Sequence, residues 1–179
     1  MVSRSKLSLL NAKTVFREGE HMLYEVTGNI LSGEYNVICQ QVNCQGVMGA
    51  GLAKQIRNQY PKLFMYYKKK CESGNKEELL GDINIFCTSY ENSKFIINLF
   101  AQYNYGRGTR QTDYNAFHDC LQKIKSQVTD FIPETAKIAF PYKIGCGLAG
   151  GDWNIIKPMI EKFSKEIKQN VYIVRLKEN

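Results

Sequence analysis

The sequence predicts an α/β fold, a sheet with helices packed on both faces, and three observations carry that reading. Short apolar runs such as Val37-Ile38-Cys39 and Val171-Tyr172-Ile173-Val174 alternate with longer segments of helical periodicity. Two strand patterns lead through glycine-rich loops straight into helices, at Asn43 to Ala53 and at Ile144 to Asp152. The 179 residues are 44% hydrophobic and 12% aromatic, enough for one domain with a sizeable core.

Residues 1–20 are polar and mixed and read as an N-terminal extension packed on a domain running from 21 to 179. Met22 to Val26 reads as a strand, and Ser32-Gly33-Glu34 is a turn signal. Strand 37–42 and the first glycine loop follow. The helix opening at Leu52 stops at Pro61, where a second begins with Leu63, Phe64, Tyr67 and Cys71 on one face. Ser73-Gly74-Asn75 breaks that run. Asp82 to Thr88 and Phe95 to Phe100 read as strands joined by the polar turn 89–93. After the irregular segment 102–111, Thr112 is the expected N-cap of a helix carrying Phe117, Leu121 and Ile124. Strand 137–141, the second glycine loop, a helix with Ile156, Ile160 and Phe163, and strand 171–176 complete six strands.

Several function classes are excluded or disfavoured. No apolar stretch reaches the ~18–20 residues of a membrane helix, and the first residues do not read as a signal peptide. The six cysteines form no CxxC pair and no metal-like spacing with His21 or His118. They read as reduced thiols of a cytoplasmic protein, so neither a metal nor a cofactor is expected. The net charge of +7 reads as a solvated surface, with attraction of an anionic nucleotide or polynucleotide as the sharper alternative; no stacking platform or basic recognition helix accompanies the charge in the sequence, which disfavours nucleic acid.

The glycine loops carry the chemistry. Gly46, Gly49 and Gly51 exceed what a simple turn needs, and glycine lets backbone approach a ligand closely. A helix start offers free N–H groups and a positive dipole end to an anion. Two such loops in one domain suggest one diphosphate-containing ligand held between them. In open α/β sheets that place is the carboxyl end of the strands, which the 102–111 segment also reaches. Asn43 is expected to aim its amide at ribose hydroxyls, or to close its own turn. Asp152 reads first as an N-cap and, as the acid nearest the second loop, as a candidate base. Tyr103 and Tyr105 could face a ribose or base. Arg107 and Arg110 read as solvated, His118 as structural, and Cys44 and Cys146 as packing thiols.

With these loops in order, the chain from about Met22 onward resembles a macrodomain, the ADP-ribose-binding module. The resemblance implies a three-layer α/β/α fold with a central mixed sheet of about six strands. Val26-x-Gly28-Asn29-Ile30 is similar to the motif that holds the adenine. The loop with Met48, Gly49, Ala50 and Gly51 is similar to the one around the distal ribose. Ile144-Gly145-Cys146-Gly147-Leu148 is similar to the diphosphate loop. The nearest branch holds the terminal ADP-ribose protein glycohydrolase and the yeast-type ADP-ribose 1''-phosphate phosphatase. Gln102 and Ala149 stand where the glycohydrolase has its lysine and aspartate, so a lysine–aspartate covalent route is not expected. A monomer is expected, and the resemblance implies binding of ADP-ribose or a derivative, free or attached to protein or nucleic acid, within NAD metabolism. The implied activity is hydrolysis of a linkage at the distal ribose C1'', with Asn43 and Asp152 as candidate catalytic residues. The alternative is a non-catalytic reader or scavenger.

Overall fold

The apolar runs assemble as parallel strands buried on both faces, which is why they read as continuous rather than alternating. The computed structural model describes residues 13–18, 21–32, 34–91 and 94–177. The strands are β1 (Lys13–Glu18), β2 (His21–Thr27), β3 (Val37–Asn43), β4 (Ile83–Ser89), β5 (Lys94–Gln102), β6 (Lys137–Pro141) and β7 (Asn170–Arg175). Their order across the sheet is β1-β2-β7-β6-β3-β5-β4. From β2 to β5 all neighbours are parallel, and β1 and β4 close the edges antiparallel.

Successive residues of β3 serve opposite layers. Val37 and Cys39 join the core under α4 (Tyr114–Gln127) and α5 (Trp153–Lys165), with Phe117, Leu121, Ile160 and Phe163. Ile38 and Val42 join the core under α1 (Gly51–Gln59) and α2 (Pro61–Ser73), with Ile56, Leu63 and Tyr67. A short helix, α3 (Lys76–Leu79), follows α2 behind the N-cap Asn75. The result is the expected α/β/α layering.

The sheet has seven strands where about six were expected. The additional one is β1, which lies inside the segment read as an extension and pairs with β2 through Glu18↔His21 and Lys13↔Glu25. Its sequence, KTVFRE, is too short and mixed to announce a strand, as is common at an edge. Residues 1–12, Gly33 of the expected turn, and Asn92 and Ser93 of the 89–93 turn lie outside the described residues. Thr112 does not cap α4. Asp113 does, accepting from the Ala116 N–H at 2.9 Å. The Thr112 hydroxyl instead donates to the Gly145 carbonyl at 2.7 Å, tying α4's start to the second glycine loop.

The chain leaves β3 towards β5 on one side of the sheet and returns with β6 on β3's other side. The loops after β3 and β6 therefore diverge, and a crevice opens between them at the carboxyl ends of the strands.

Candidate ligand cleft

The loop after β3 is built on Asn43. Its Oδ1 accepts from the Gln45 and Val47 N–H groups at 3.0 and 3.1 Å, and its Nδ2 donates to the Val47 carbonyl at 2.7 Å. The buried Tyr67 hydroxyl of α2 donates to the Asn43 carbonyl at 2.7 Å. Asn43 is only 5% exposed, so its amide organises the loop from within. The turn-closing alternative for that amide is found, because the loop's own N–H groups need an acceptor, and Asn43 also lies in the lining of the cleft. Gly46 at φ +80 sits against Lys68 and Cys71 of α2.

The same loop delivers the start of α1. Its N-cap is Ala50, which makes no side-chain cap, and its first turn holds no acid. By contrast α3, α4 and α5 are capped by Asn75, Asp113 and Asp152. The first-turn N–H groups of α1 thus remain available to an anion from outside the chain.

The second loop turns through Lys143 at φ 57 and Gly145 at φ +71. A Cβ at Gly145 would collide with Gln41 Oε1 and meet Thr112 Oγ1 at 3.0 Å, so this glycine is required by the fold itself. At Gly147 a Cβ would meet nothing within 4 Å, because the residue faces open space. A polar relay joins the two loops. Gln41 Nε2 donates to Gln102 Oε1 at 3.0 Å and to Thr112 Oγ1 at 2.9 Å, and Thr112 reaches Gly145. Gln102 Nε2 in turn donates to the Asn104 carbonyl at 2.8 Å.

Between the loops lies a cleft of about 490 Å³, within the usual size of small-molecule sites. Of the expected site residues, Asn43, Gly49, Ala50, Gly51, Tyr105, Ile144, Gly145, Gly147 and Leu148 line it. Met48 is 1% exposed and belongs to the core beneath the loop. Cys146 packs against the core on the α5 side. Neither residue's side chain belongs to the cleft lining, and the same holds for Tyr103, Asp152, Gly28, Asn29 and Ile30. Gly28 is tied through its N–H to the Arg175 carbonyl at 2.8 Å, and Asn29 Oδ1 accepts from the Leu31 N–H at 2.9 Å. These two sit at the carboxyl end of β2, two strands away from β6. Asp152 caps α5 by accepting from the Asn154 N–H at 2.8 Å, the first of its two expected roles.

Several lining residues escaped the sequence reading: Gln40, Gln41, Tyr142 and Lys143. The signal for the glutamines was present, since two polar residues interrupt an apolar strand. Gln40 is 2% exposed, donates from Nε2 to Asn98 Oδ1 at 2.7 Å, and leaves its Oε1 without a partner. Gln41 Oε1 is likewise buried and unpartnered. An acceptor in that state is costly unless a donor reaches it. Tyr142 forms a wall braced by Trp153, edge-on with ring centroids 5.2 Å apart, and by the Arg175 guanidinium 3.6 Å from its ring centroid. Arg107 lines the cleft, whereas Arg110 is stacked on Tyr114 at 4.5 Å.

No carboxylate, histidine or cysteine occurs in the cleft lining among the described residues. The nearby thiols are shifted away from the reactive thiolate form. Burial pushes Cys44 up to about 12, with Cys71 adding to the rise and Lys76 opposing it. Burial and the Asp152 charge push Cys146 up to about 11 against Lys143. Among the described residues no cluster of His, Cys, Asp or Glu could hold a metal ion, and no helix is long and apolar enough to cross a membrane.

The fold and the cleft agree with what comparison finds. In sequence the chain is 28% identical over 133 residues to the DNA ADP-ribosyl glycohydrolase of Mycobacterium tuberculosis, covering 73% of this chain and 35% of that protein. The chain thus spans about a third of the length of those relatives. It is also 28% identical over 173 residues to the ADP-ribose 1''-phosphate phosphatase of Saccharomyces cerevisiae, covering 82% of this chain and 96% of that protein. In structure it resembles the macrodomain of Thermus aquaticus DarG, with a TM-score of 0.71 at 22% identity over 86% of this chain and 97% of that one. It resembles Thermosipho africanus DarTG in complex with ADP-ribose equally, with a TM-score of 0.71 at 21% identity over 87% of this chain and 41% of that one. Residues 39–160, which run from the middle of β3 into α5 and include both glycine loops, match the family described as Macro domain. The chain belongs to the macro domain family.

Proposed function

We propose that the cleft binds ADP-ribose, or a nucleotide ending in it, and hydrolyses a linkage at the distal ribose C1''. The observation that carries this reading is the pairing of the uncapped α1 N-terminus with the open Gly147 loop across one cleft. That arrangement suits a diphosphate, with backbone N–H groups on one side and room for phosphate oxygens on the other. The relatives named as hydrolases of ADP-ribosyl compounds, and the DarTG structure with ADP-ribose, support the same ligand.

For hydrolysis, water attacks C1'', the bond to the departing oxygen or nitrogen breaks, and that group leaves with a proton. The lining supplies no carboxylate or imidazole to take the water's proton. Gln40 and Gln41 offer neutral carbonyl oxygens that can orient water or a ribose hydroxyl, and the ligand's own diphosphate is the anionic acceptor. Loop amides stabilise the charge that develops. The absence of a protein base favours a second reading, a reader that holds an ADP-ribosyl group without cleaving it.

Calorimetry with ADP-ribose and with AMP tests the binding. ADP-ribose is expected to bind at least tenfold more tightly, and equal affinity would reject the two-loop site. Incubation with ADP-ribose 1''-phosphate and with ADP-ribosylated protein or DNA, following released product, separates hydrolase from reader.

A further inference from the structure

The molecule's cations are paired unevenly. Around α4 and α5, Lys123 meets Asp82, Lys125 and Lys162 meet Glu166, Lys157 meets Glu25 and Glu161, and Lys168 meets Glu134. The α1–α2 hairpin differs. From Gly51 to Cys71 it carries Lys54, Arg57, Lys62, Lys68, Lys69 and Lys70 and no Asp or Glu. Lys70 is taken by Asp82, and Lys68 lies 3.6 Å from Glu72. Arg57 rests over the Phe64 ring. Lys54, Lys62 and Lys69 are exposed and make no ion pair among the described residues.

Two of these lysines share an exposed face of α2 with two large apolar side chains. Lys62, Met65, Tyr66 and Lys69 lie at i, i+3, i+4 and i+7 on α2 and so share one face. Met65 is 69% and Tyr66 54% exposed, while Tyr67 on the opposite side is fully buried. Tyr67 bonds the Asn43 carbonyl, and Lys68 packs on Gly46, so this part of α2 flanks the first glycine loop. Lys54 stands one turn inside α1, whose first residues line the cleft, and Arg107 and Lys143 line the same cleft.

We propose that the α1–α2 face docks a single-stranded polynucleotide. Its phosphates follow Lys54, Lys62 and Lys69, a base stacks on Tyr66, and an ADP-ribosyl group carried by the strand enters the adjoining cleft. The last clause rests on the reading of the cleft given above; the docking surface does not. Unneutralised lysines attract phosphates, and an exposed ring between two of them offers the stacking that single strands use. An acidic peptide would use the lysines and leave Tyr66 idle.

Fluorescence anisotropy with a labelled, unmodified single-stranded DNA oligonucleotide tests this across a salt series. The protein is expected to bind, with affinity falling steeply as salt rises. The Lys54→Gln/Lys62→Gln/Lys69→Gln variant is expected to bind at least tenfold more weakly. Its log–log salt slope should flatten by about 2, since each single-strand phosphate neutralised by a lysine contributes ~0.7. Tyr66→Ala is expected to weaken binding and leave the slope unchanged. Both variants should keep the parent's ADP-ribose affinity, so failure of the cleft reading and failure of the docking reading show up in different measurements. No binding at low salt overturns the proposal. So does an equal loss in a Lys125→Gln/Lys162→Gln/Lys168→Gln control, which removes the same charge elsewhere, or equal competition by polyglutamate, which assigns the face to acidic peptides.

Discussion

Single residues divide into those that build the cleft and those that leave room in it, and the two glycines of the second loop illustrate both. Gly145 has a left-handed φ and no space for a Cβ, whereas Gly147 has neither restriction. Gly147→Val is therefore expected to fold with a melting temperature near the parent's and to lose ADP-ribose binding by calorimetry. Gly145→Val is expected to unfold at clearly lower temperature, because its side chain must displace Gln41. Asn43→Ala removes the acceptor of two loop N–H groups, and leaving buried donors unsatisfied costs about 1–3 kcal/mol. Chemical denaturation should show that loss together with weaker ligand binding. Asp152→Ala should cost about 0.5–2 kcal/mol through the lost α5 cap. Its turnover of any cleaved substrate should match the parent's, and a large drop in rate at unchanged stability would return Asp152 to the mechanism. The half-buried Cys146, at about 11, should alkylate slowly with iodoacetamide at pH 7 and faster as pH rises towards that value.

At the scale of elements, Asp82 just before β4 holds two helices at one edge of the sheet. Its carboxylate accepts from Lys70 of α2 at 2.7 Å and from Lys123 of α4 at 2.8 Å. Burial acts to raise its pKa, but the hydrogen bonds from Lys123 and Lys70 outweigh burial and hold it below the usual carboxylate range. A depressed carboxyl stabilises the fold above its unfolded value of ~3.9 and loses that contribution as pH falls through the lower folded value. Thermal unfolding from pH 6 downward should therefore show a steeper acid loss in the parent than in Asp82→Asn, which starts less stable and lacks this titration. Parallel acid curves would remove Asp82 from the acid response. Helix capping belongs to the same scale. The sequence reading placed a cap at Thr112, one residue early, because Ser, Thr and Asp are nearly equivalent N-caps and only the contact with Gly145 shows where the hydroxyl is engaged.

Across the whole molecule, the cleft exists because the chain reverses direction through the sheet at β3, and ligand there bridges loops from both halves. A ligand that binds only the folded state stabilises it by about 2.7 kcal/mol at a hundred times its dissociation constant. ADP-ribose should therefore raise the melting temperature in a concentration-dependent way, AMP far less, and a flat response to both would contradict the cleft assignment. The charge distribution is also a property of this scale. A net charge of +7 left a solvated surface and an anionic partner as alternatives, whereas folding pairs cations around α4 and α5 and leaves Lys54, Lys62 and Lys69 of α1–α2 without an ion pair among the described residues.

Much of the architecture was legible in the sequence, because buried parallel strands and amphipathic helices have periods that residue identity alone displays. Both glycine loops were legible for a related reason: glycine at a strand-to-helix junction has few other uses. The chain by itself thus determined the α/β class, six strands in their succession along the chain, the two loops and the family they belong to. What it could not display was pairing at a distance. The edge strand β1 gains its identity only from β2. The unpartnered oxygens of Gln40 and Gln41 follow from neighbours 58 and 61 residues away that occupy their nitrogens. The inward turn of Asn43 follows from loop N–H groups that only the folded loop brings to it. Tertiary structure decided these points because a polar side chain's role depends on which donors and acceptors surround it, and those are set by the fold rather than by adjacency in the chain.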